Sequence, residues 1–421
     1  VEPLNKSNRR RKRKEIVMTS LETDLLHSGD DRARAQGAIN TPVYRASLFG
    51  FDTYQDYLDA RAQGSTGMVY SRVGNPTRAT LEAKVAHLEG AEKALAFSSG
   101  MAAISTALLA LLKGGDHVLI ASCCYGPTRL LCDTLLARMG VEIEYFDSAE
   151  TSDLSPRLKP NTRAIYLESP GTFTFQIQNI RAVTRLAKEK NIYTLIDNTW
   201  ATPIYQQPIK LGVDVVLHTA TKYIGGHSDV MAGLLACNSE LYQKIQPIAE
   251  VLGAALSPDD AYLVTRGLRT LAVRLERQSA SALKLAQWLQ ERPEVHRVYH
   301  PGLCNFPDYD LGRSQLSGYS GLFSVSMHPA APPEVQHAFV DALTYFTIGV
   351  SWGGYESLIM PVGESYRQAP AIRQSMGIED EMYRISVGLE NVEDLITDLE
   401  AGFRARAAML TSLKGDGEKW I

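Results

Sequence analysis

The chain has 421 residues, 45% of them hydrophobic and 21% charged, and a formal net charge of −4. This is the composition of a globular protein too long for one small core, so roughly two or three folded units are expected. The charge balance excludes a general attraction to nucleic acid or membrane surfaces, and no apolar run approaches the ~20 residues that span a bilayer. The five cysteines, Cys123, Cys124, Cys132, Cys237 and Cys304, have neither metal-ligand spacing nor an even count. Neither a metal nor a disulfide framework is expected, and a cytoplasmic, reducing location follows.

Residues 1–17 carry the basic run Arg9 to Lys14 with almost no apolar content, the composition of a disordered tail. It reads as an extension ahead of Met18 rather than as a polyanion-binding arm. From 18 to 75 the sequence is mixed and interrupted by Gly37, Gly50, Gly64 and Gly67, which predicts an extended N-terminal arm. At its end lies Tyr70-Ser-Arg72, where the Arg72 guanidinium suits either a surface carboxylate or a phosphate dianion. Pro76 then opens a helical pattern through Leu81, Val85 and Leu88.

The segment Ala96 to Ile104 predicts a strand end running into a helix, with Ser98 as the cap and Gly100 at the opening turn. Free amides at such a terminus bind anions, and a glycine admits a phosphate without a side-chain clash. Strands over His117–Ala121 and 163–168, separated by helical patterns at 128–139 and 180–190, imply a mostly parallel sheet. Tyr125 follows the first of these strands, where a ring could cover a planar ligand or simply pack. The strand 192–196 ends at Asp197, placed either to cap a turn or to pair with a ring nitrogen. The run Val213 to Leu217 predicts a buried strand, followed by Thr219, Thr221 and Lys222. A lysine there is either a solvated strand-end residue or a desolvated amine fit for covalent catalysis, with the two hydroxyls beside it. From about residue 269 a long helical pattern runs through Leu289, a strand follows at 322–327, another carries Arg384, and a closing amphipathic helix includes Val392, Leu395, Leu399 and Phe403.

Seven stretches together carry a resemblance: Tyr70-Ser-Arg72, Ser98-Ser-Gly-Met101, Glu168-Ser-Pro-Gly171, Asp197-Asn-Thr-Trp200, Ala220-Thr-Lys-Tyr223, Ser351-Trp-Gly-Gly-Tyr-Glu-Ser357 and Arg384-Ile-Ser-Val-Gly-Leu-Glu390. From Leu21 to Phe403 the chain resembles the cystathionine β-lyase branch of the pyridoxal phosphate (PLP)-dependent transsulfuration enzymes. The resemblance implies an α/β, aminotransferase-like fold of type I: a PLP-binding domain over 76–268 with a mostly parallel sheet, and a smaller α+β C-terminal domain over 269–421. It implies PLP bound covalently by Lys222, with Asp197 at the pyridine nitrogen and Tyr125 on the ring. The phosphate would meet Ser98, the amides of Gly100 and Met101, the hydroxyls of Thr219 and Thr221, and Tyr70 and Arg72 from a neighbouring subunit. Arg384, Ser351 and Trp352, with Tyr70, would position the substrate carboxylate, and Lys222, helped by Tyr125, would move protons. The implied reaction is β-elimination of L-cystathionine to homocysteine, pyruvate and ammonia, in a cytoplasmic homotetramer with sites shared across a dimer. The γ-acting relatives and broader cysteine-conjugate lyases use the same lysine and are the alternatives. Val350 and Val69 stand where the enterobacterial β-lyase has aromatic residues, which leaves the natural thioether open.

Overall fold

The structure, a computed structural model, describes residues 20–417 apart from 34, 63–66 and 329, with side chains as far as 413. The basic tail lies outside the described residues. The arm that follows holds two short helices, Leu21–His27 and Tyr54–Ala62, in otherwise irregular chain. Leu25 is buried against the same core as Leu81 and Val85, whereas Tyr54–Ala62 buries nothing within its own chain. The helix Pro76–Glu89 starts where expected: Pro76 occupies its first turn and the Asn75 side chain accepts from the Thr77 amide. Leu81, Val85 and Leu88 form its buried stripe.

Seven strands make the large sheet: β1 (Lys93–Phe97), β2 (His117–Ala121), β3 (Glu142–Phe146), β4 (Thr162–Glu168), β5 (Tyr193–Asp197), β6 (Val215–Thr219) and β7 (Gly233–Cys237), in the order β1-β7-β6-β5-β4-β2-β3. The β7 strand runs antiparallel to both its neighbours, and every other adjacent pair is parallel. The central strands are apolar throughout because both faces are covered. Val118, Ile120, Ala164, Tyr166, Leu195, Val215 and Leu217 face one buried cluster. Leu119, Ala121, Ile165, Leu167, Ile196 and Val216 face the other. Alternation of side chains with period two thus feeds two cores from one run of sequence.

Two boundaries differ from the sequence pattern. The β6 strand continues two residues past Leu217, because Thr219 pairs with Gly233 of β7. The helix expected over 128–139 divides into Gly126–Leu131 and a wider π-type stretch, Cys132–Leu136.

The smaller sheet comprises β8 (Val295–Tyr299), β9 (Leu322–Met327), β10 (Thr347–Ile348), β11 (Leu358–Pro361) and β12 (Met382–Ser386), ordered β10-β11-β12-β9-β8. Its core takes in Phe323, Val325, Ile385, Leu395, Leu399 and Phe403, the last three from the closing helix and Ile385 from β12. One helix, Leu271–Gln290, serves both units: Leu271 and Leu275 pack into the large-sheet core, and Ala282, Leu285 and Leu289 into the smaller one. The fold is the type I, aminotransferase-like α/β architecture. Among the described residues no helix is long and apolar enough to cross a membrane.

Candidate active site

In open α/β sheets, ligands bind beyond the carboxyl ends of parallel strands. Here β4, β5 and β6 end side by side at Glu168, Asp197 and Thr219, and these three residues line a cavity of about 270 Å³. Gly100, Met101, Tyr125, Thr221, Lys222, Trp352 and Arg384 line the same cavity, so most of the sequence-predicted residues come together.

Lys222 lies in the tight turn after β6, where its amide donates to Thr219 O at 3.1 Å. Its ammonium meets the Ser351 hydroxyl at 2.8 Å and stands 5.3 Å from the centre of the Trp352 ring. Burial and the nearby Arg384 charge push the amine down to about 8, against a smaller upward pull from Asp197. An amine at that value is uncharged in a useful fraction of molecules near neutral pH. Gly353 (φ +81°) is what allows the loop 351–357 to come this close. A Cβ there would stand 2.8 Å from the Tyr223 amide nitrogen. Trp352 is packed edge-on to Tyr223 at 5.4 Å.

Asp197 is buried, and among the described residues only one of its carboxylate oxygens has a hydrogen-bond partner. Oδ1 accepts from the Thr199 amide at 2.9 Å and from the Thr199 hydroxyl at 2.5 Å. Thr199 is fixed in turn by the Thr219 amide, which donates to its hydroxyl oxygen at 2.8 Å. Oδ2 remains for the cavity. Burial pushes this carboxyl up, and the Thr199 bonds oppose that shift. A cationic group against Oδ2 would satisfy it, as a protonated pyridine nitrogen does.

The helix Gly100–Leu111 points its amino terminus at the cavity. Its cap is Ser99, whose side chain accepts from the Ala102 amide, and not Ser98. Ser98 is exposed, bonds through its amide to Ala254 O, and does not line the cavity. The helix begins one residue later than the pattern suggested, and two consecutive serines left that choice undetermined. Gly100 sits against β6 so closely that a Cβ would lie 2.1 Å from Thr219 Oγ1. The bare backbone, the helix amino terminus and the Thr219 hydroxyl form a polar cradle of the kind that binds anions. The Thr221 hydroxyl accepts from the Ala232 amide at 3.0 Å at the edge of this cradle.

Tyr125 precedes the helix Gly126–Leu131, lines the cavity and is 43% exposed. Burial of its inner part raises the phenol above its ordinary value. Arg384, on β12, is buried and donates to Val350 O at 2.6 Å, with its guanidinium 5.6 Å from the Phe173 ring. Among the described residues it has no carboxylate partner, and burial pushes it down to about 10. A buried guanidinium without an anion is ready for a ligand carboxylate.

Tyr70 and Arg72 do not reach the cavity of their own chain. Tyr70 is 47% exposed, and Arg72 donates to Glu250 O at 2.7 Å with its guanidinium 5.7 Å from the Tyr70 ring. Val350 is 78% exposed and Val69 is partly buried, and neither lines this cavity. Thr199, Glu168 and Phe173 are among the lining residues that the sequence pattern does not single out. Thr199 was readable from Asp-x-Thr spacing, which favours a side-chain turn onto the aspartate. Glu168 ends a predicted strand, a position that by itself gives a glutamate no task. Phe173 carried no signal, because its contact with Arg384 joins segments over 200 residues apart.

A desolvated strand-end lysine, an adjacent buried carboxylate and a helix-capped anion cradle on a type I sheet define a PLP-dependent enzyme. The family described as Cys/Met metabolism PLP-dependent enzyme matches residues 22–404, and the chain belongs to it. It is 40% identical over 389 residues to a cystathionine beta-lyase of Lactococcus lactis, covering 91% of this chain and 98% of that one. A cystathionine gamma-lyase of Bacillus subtilis is 38% identical over 380 residues, covering 90% and 97%. The solved structure of cystathionine gamma-lyase from Lactobacillus plantarum complexed with L-serine superposes with a TM-score of 0.86 at 36% identity, covering 92% of this chain and all of that one.

Proposed function

We propose that the protein is a PLP-dependent carbon–sulfur β-lyase that converts L-cystathionine and water to homocysteine, pyruvate and ammonia. The observation that carries this is the meeting of the Lys222 ammonium and the Ser351 hydroxyl at 2.8 Å, with Trp352 and Arg384, which has no carboxylate partner among the described residues, lining the same cavity. When bound, PLP supplies an electron sink for the charge developed at the substrate Cα. Arg384 takes the substrate carboxylate, and Ser351 and Trp352 hold that end of the molecule against Lys222. The orientation places Cα–H toward the lysine amine, which removes the proton. Lys222, or Tyr125 beside it, returns a proton to the departing sulfur, so that the Cβ–S bond breaks to a neutral thiol. Asp197 would hold its negative charge toward the ring nitrogen of bound PLP, and Gly100, Met101, Thr219 and Thr221 would hold its phosphate.

The arm 18–75 is proposed to complete the site of a neighbouring copy, beside a PLP-binding domain at 76–268 and a C-terminal domain at 269–421. The half-exposed Tyr70 and Arg72, turned from their own cavity, support a homotetramer with sites shared across a dimer. The four cysteines buried as free thiols support a reducing, cytoplasmic location.

Product identification tests the reaction. Purified protein with L-cystathionine is expected to yield pyruvate and homocysteine. Release of 2-oxobutyrate and cysteine would instead make it a γ-lyase, the activity that the Bacillus relative's name carries. Higher efficiency on cystine or cysteine than on cystathionine would make it a broader cysteine-conjugate lyase.

A further inference from the structure

Glu168 ends β4 in register with Asp197 at the end of β5, so two carboxyl groups stand side by side where the strands meet the cavity. Glu168 has no ion-pair partner among the described residues, yet both its oxygens are occupied. Oε2 accepts from the Tyr125 main-chain amide at 2.7 Å, and Oε1 lies 2.6 Å from the Thr172 hydroxyl oxygen, which accepts the proton when the carboxyl is neutral and donates when it is charged. The bond to Tyr125 is made at the residue just before the helix Gly126–Leu131, where no turn of helix yet fixes the backbone. It spans 43 residues of sequence and ties the ring-bearing loop to the strand next to Asp197.

We propose that Glu168 is the positioning residue of this site: it anchors Tyr125 over the cavity through the main chain, and enters as a neutral carboxyl so that Asp197 is the carboxylate left for the cofactor nitrogen. The inference rests on the roles given above to Asp197 and Tyr125. Two adjacent buried carboxyls cannot both ionise cheaply. The asymmetry of their surroundings decides which one keeps the proton. Asp197 has the Lys222 ammonium bearing on it, whereas Glu168 is surrounded by Asp197, Tyr125, Tyr166 and the thiols Cys123 and Cys124. Burial and the Asp197 charge push Glu168 up to about 8, against the opposing pull of its hydrogen bonds with Thr172 and the Tyr125 amide.

The test uses purified holoenzyme carrying Glu168→Ala, Glu168→Gln or Thr172→Val. Readouts are the visible circular dichroism of bound PLP, the Kd for PLP, kcat and KM, and the thermal midpoint. Losing the buried anchor in Glu168→Ala is expected to weaken the dichroic band and PLP retention about tenfold. Glu168→Gln keeps an acceptor for the Tyr125 amide and the neutral charge, and is expected to stay within about threefold of wild type in every readout. Thr172→Val loosens the same carboxyl without removing it, and should move the band in the direction of Glu168→Ala. It stands in for that variant should the alanine protein not fold. A lowered midpoint with an unchanged band and Kd would mean a merely structural role and would overturn the proposal. A Glu168→Gln protein as impaired as Glu168→Ala would overturn it too, since the charge would then matter. A wild-type protein that binds no PLP would refute the functional assignment itself.

Discussion

Replacing Gly100 by alanine tests the phosphate cradle through a steric conflict that can be read atom by atom. The added Cβ would stand 2.1 Å from Thr219 Oγ1, 2.9 Å from Thr219 Cβ and 3.0 Å from Thr219 Cγ2. Separations this short force either the helix start or the end of β6 to shift, and overpacking of this kind costs about 1–3 kcal/mol. The shift would fall on the amides and hydroxyl that face the phosphate. Losing one charge-assisted hydrogen bond of about 1.5–3 kcal/mol weakens PLP binding by roughly 10–150-fold. Titration of the PLP-free protein with PLP, followed by visible absorbance, measures the Kd. Thr219→Ala provides the control, because it deletes two of the three conflicting atoms. In that background the Gly100→Ala penalty should shrink to about half or less in kcal/mol, a coupling read from the double-mutant cycle. Binding of PLP to Gly100→Ala within about twofold of wild type, or an equal penalty in both backgrounds, would refute the reasoning.

Lys222 should behave as a weak base in the PLP-free protein: its reductive methylation is expected to be half-maximal near pH 8 instead of near the ordinary lysine value of 10.5. Since Arg384 disfavours the ammonium and Asp197 favours it, Arg384→Met should move that midpoint up and Asp197→Asn should move it down. Arg384→Lys replaces a fork by a point charge and should raise KM for the amino-acid substrate roughly 10–100-fold, with the PLP absorbance unchanged. Far from the site, Arg406 holds both oxygens of the buried Glu381 at 2.9 Å. Arg406→Ala should destabilise the protein by about 3–5 kcal/mol, seen as a lowered denaturation midpoint, because a buried carboxylate loses its partner.

The elements that carry the cavity were legible in the sequence to different degrees, for physical reasons. Strands such as His117–Ala121 and Leu322–Met327 are short apolar runs bounded by turn residues, and their limits follow from burial alone. Lys222, Asp197 and Tyr125 were legible as candidates because each follows a strand, the place where a parallel sheet keeps its chemistry. What each touches was not legible. The contact of Lys222 with Ser351 joins residues 129 apart, and it depends on the left-handed Gly353 in a loop with no periodicity. The choice of Ser99 over Ser98 as helix cap turns on one backbone angle pair, which composition does not encode. Glu168 went unassigned because a glutamate at a strand end is ordinarily solvated, and only the register with Asp197 makes it a buried neighbour of a second acid. Whether Tyr70 and Arg72 serve a site is a property of an assembly, and one chain's sequence holds only their exposure-tolerant character.

The helix Leu271–Gln290 bears on substrate choice in a way its packing alone does not announce. Its two ends are set in different cores, and midway Gln278 donates to Gly354 O at 2.7 Å and to Val387 O at 3.2 Å. It therefore works as a spacer bar between the part of the cavity wall that carries Lys222 and the part that carries Arg384. An unbroken helix is stiff over this length, so the gap between Lys222 and Arg384 is a fixed gauge, and not one that a hinge resets for each guest. Molecules that share an α-amino acid head will all be seated alike. Discrimination among them has to happen further out, at the rim, where the side chain beyond the sulfur leaves the gauge behind.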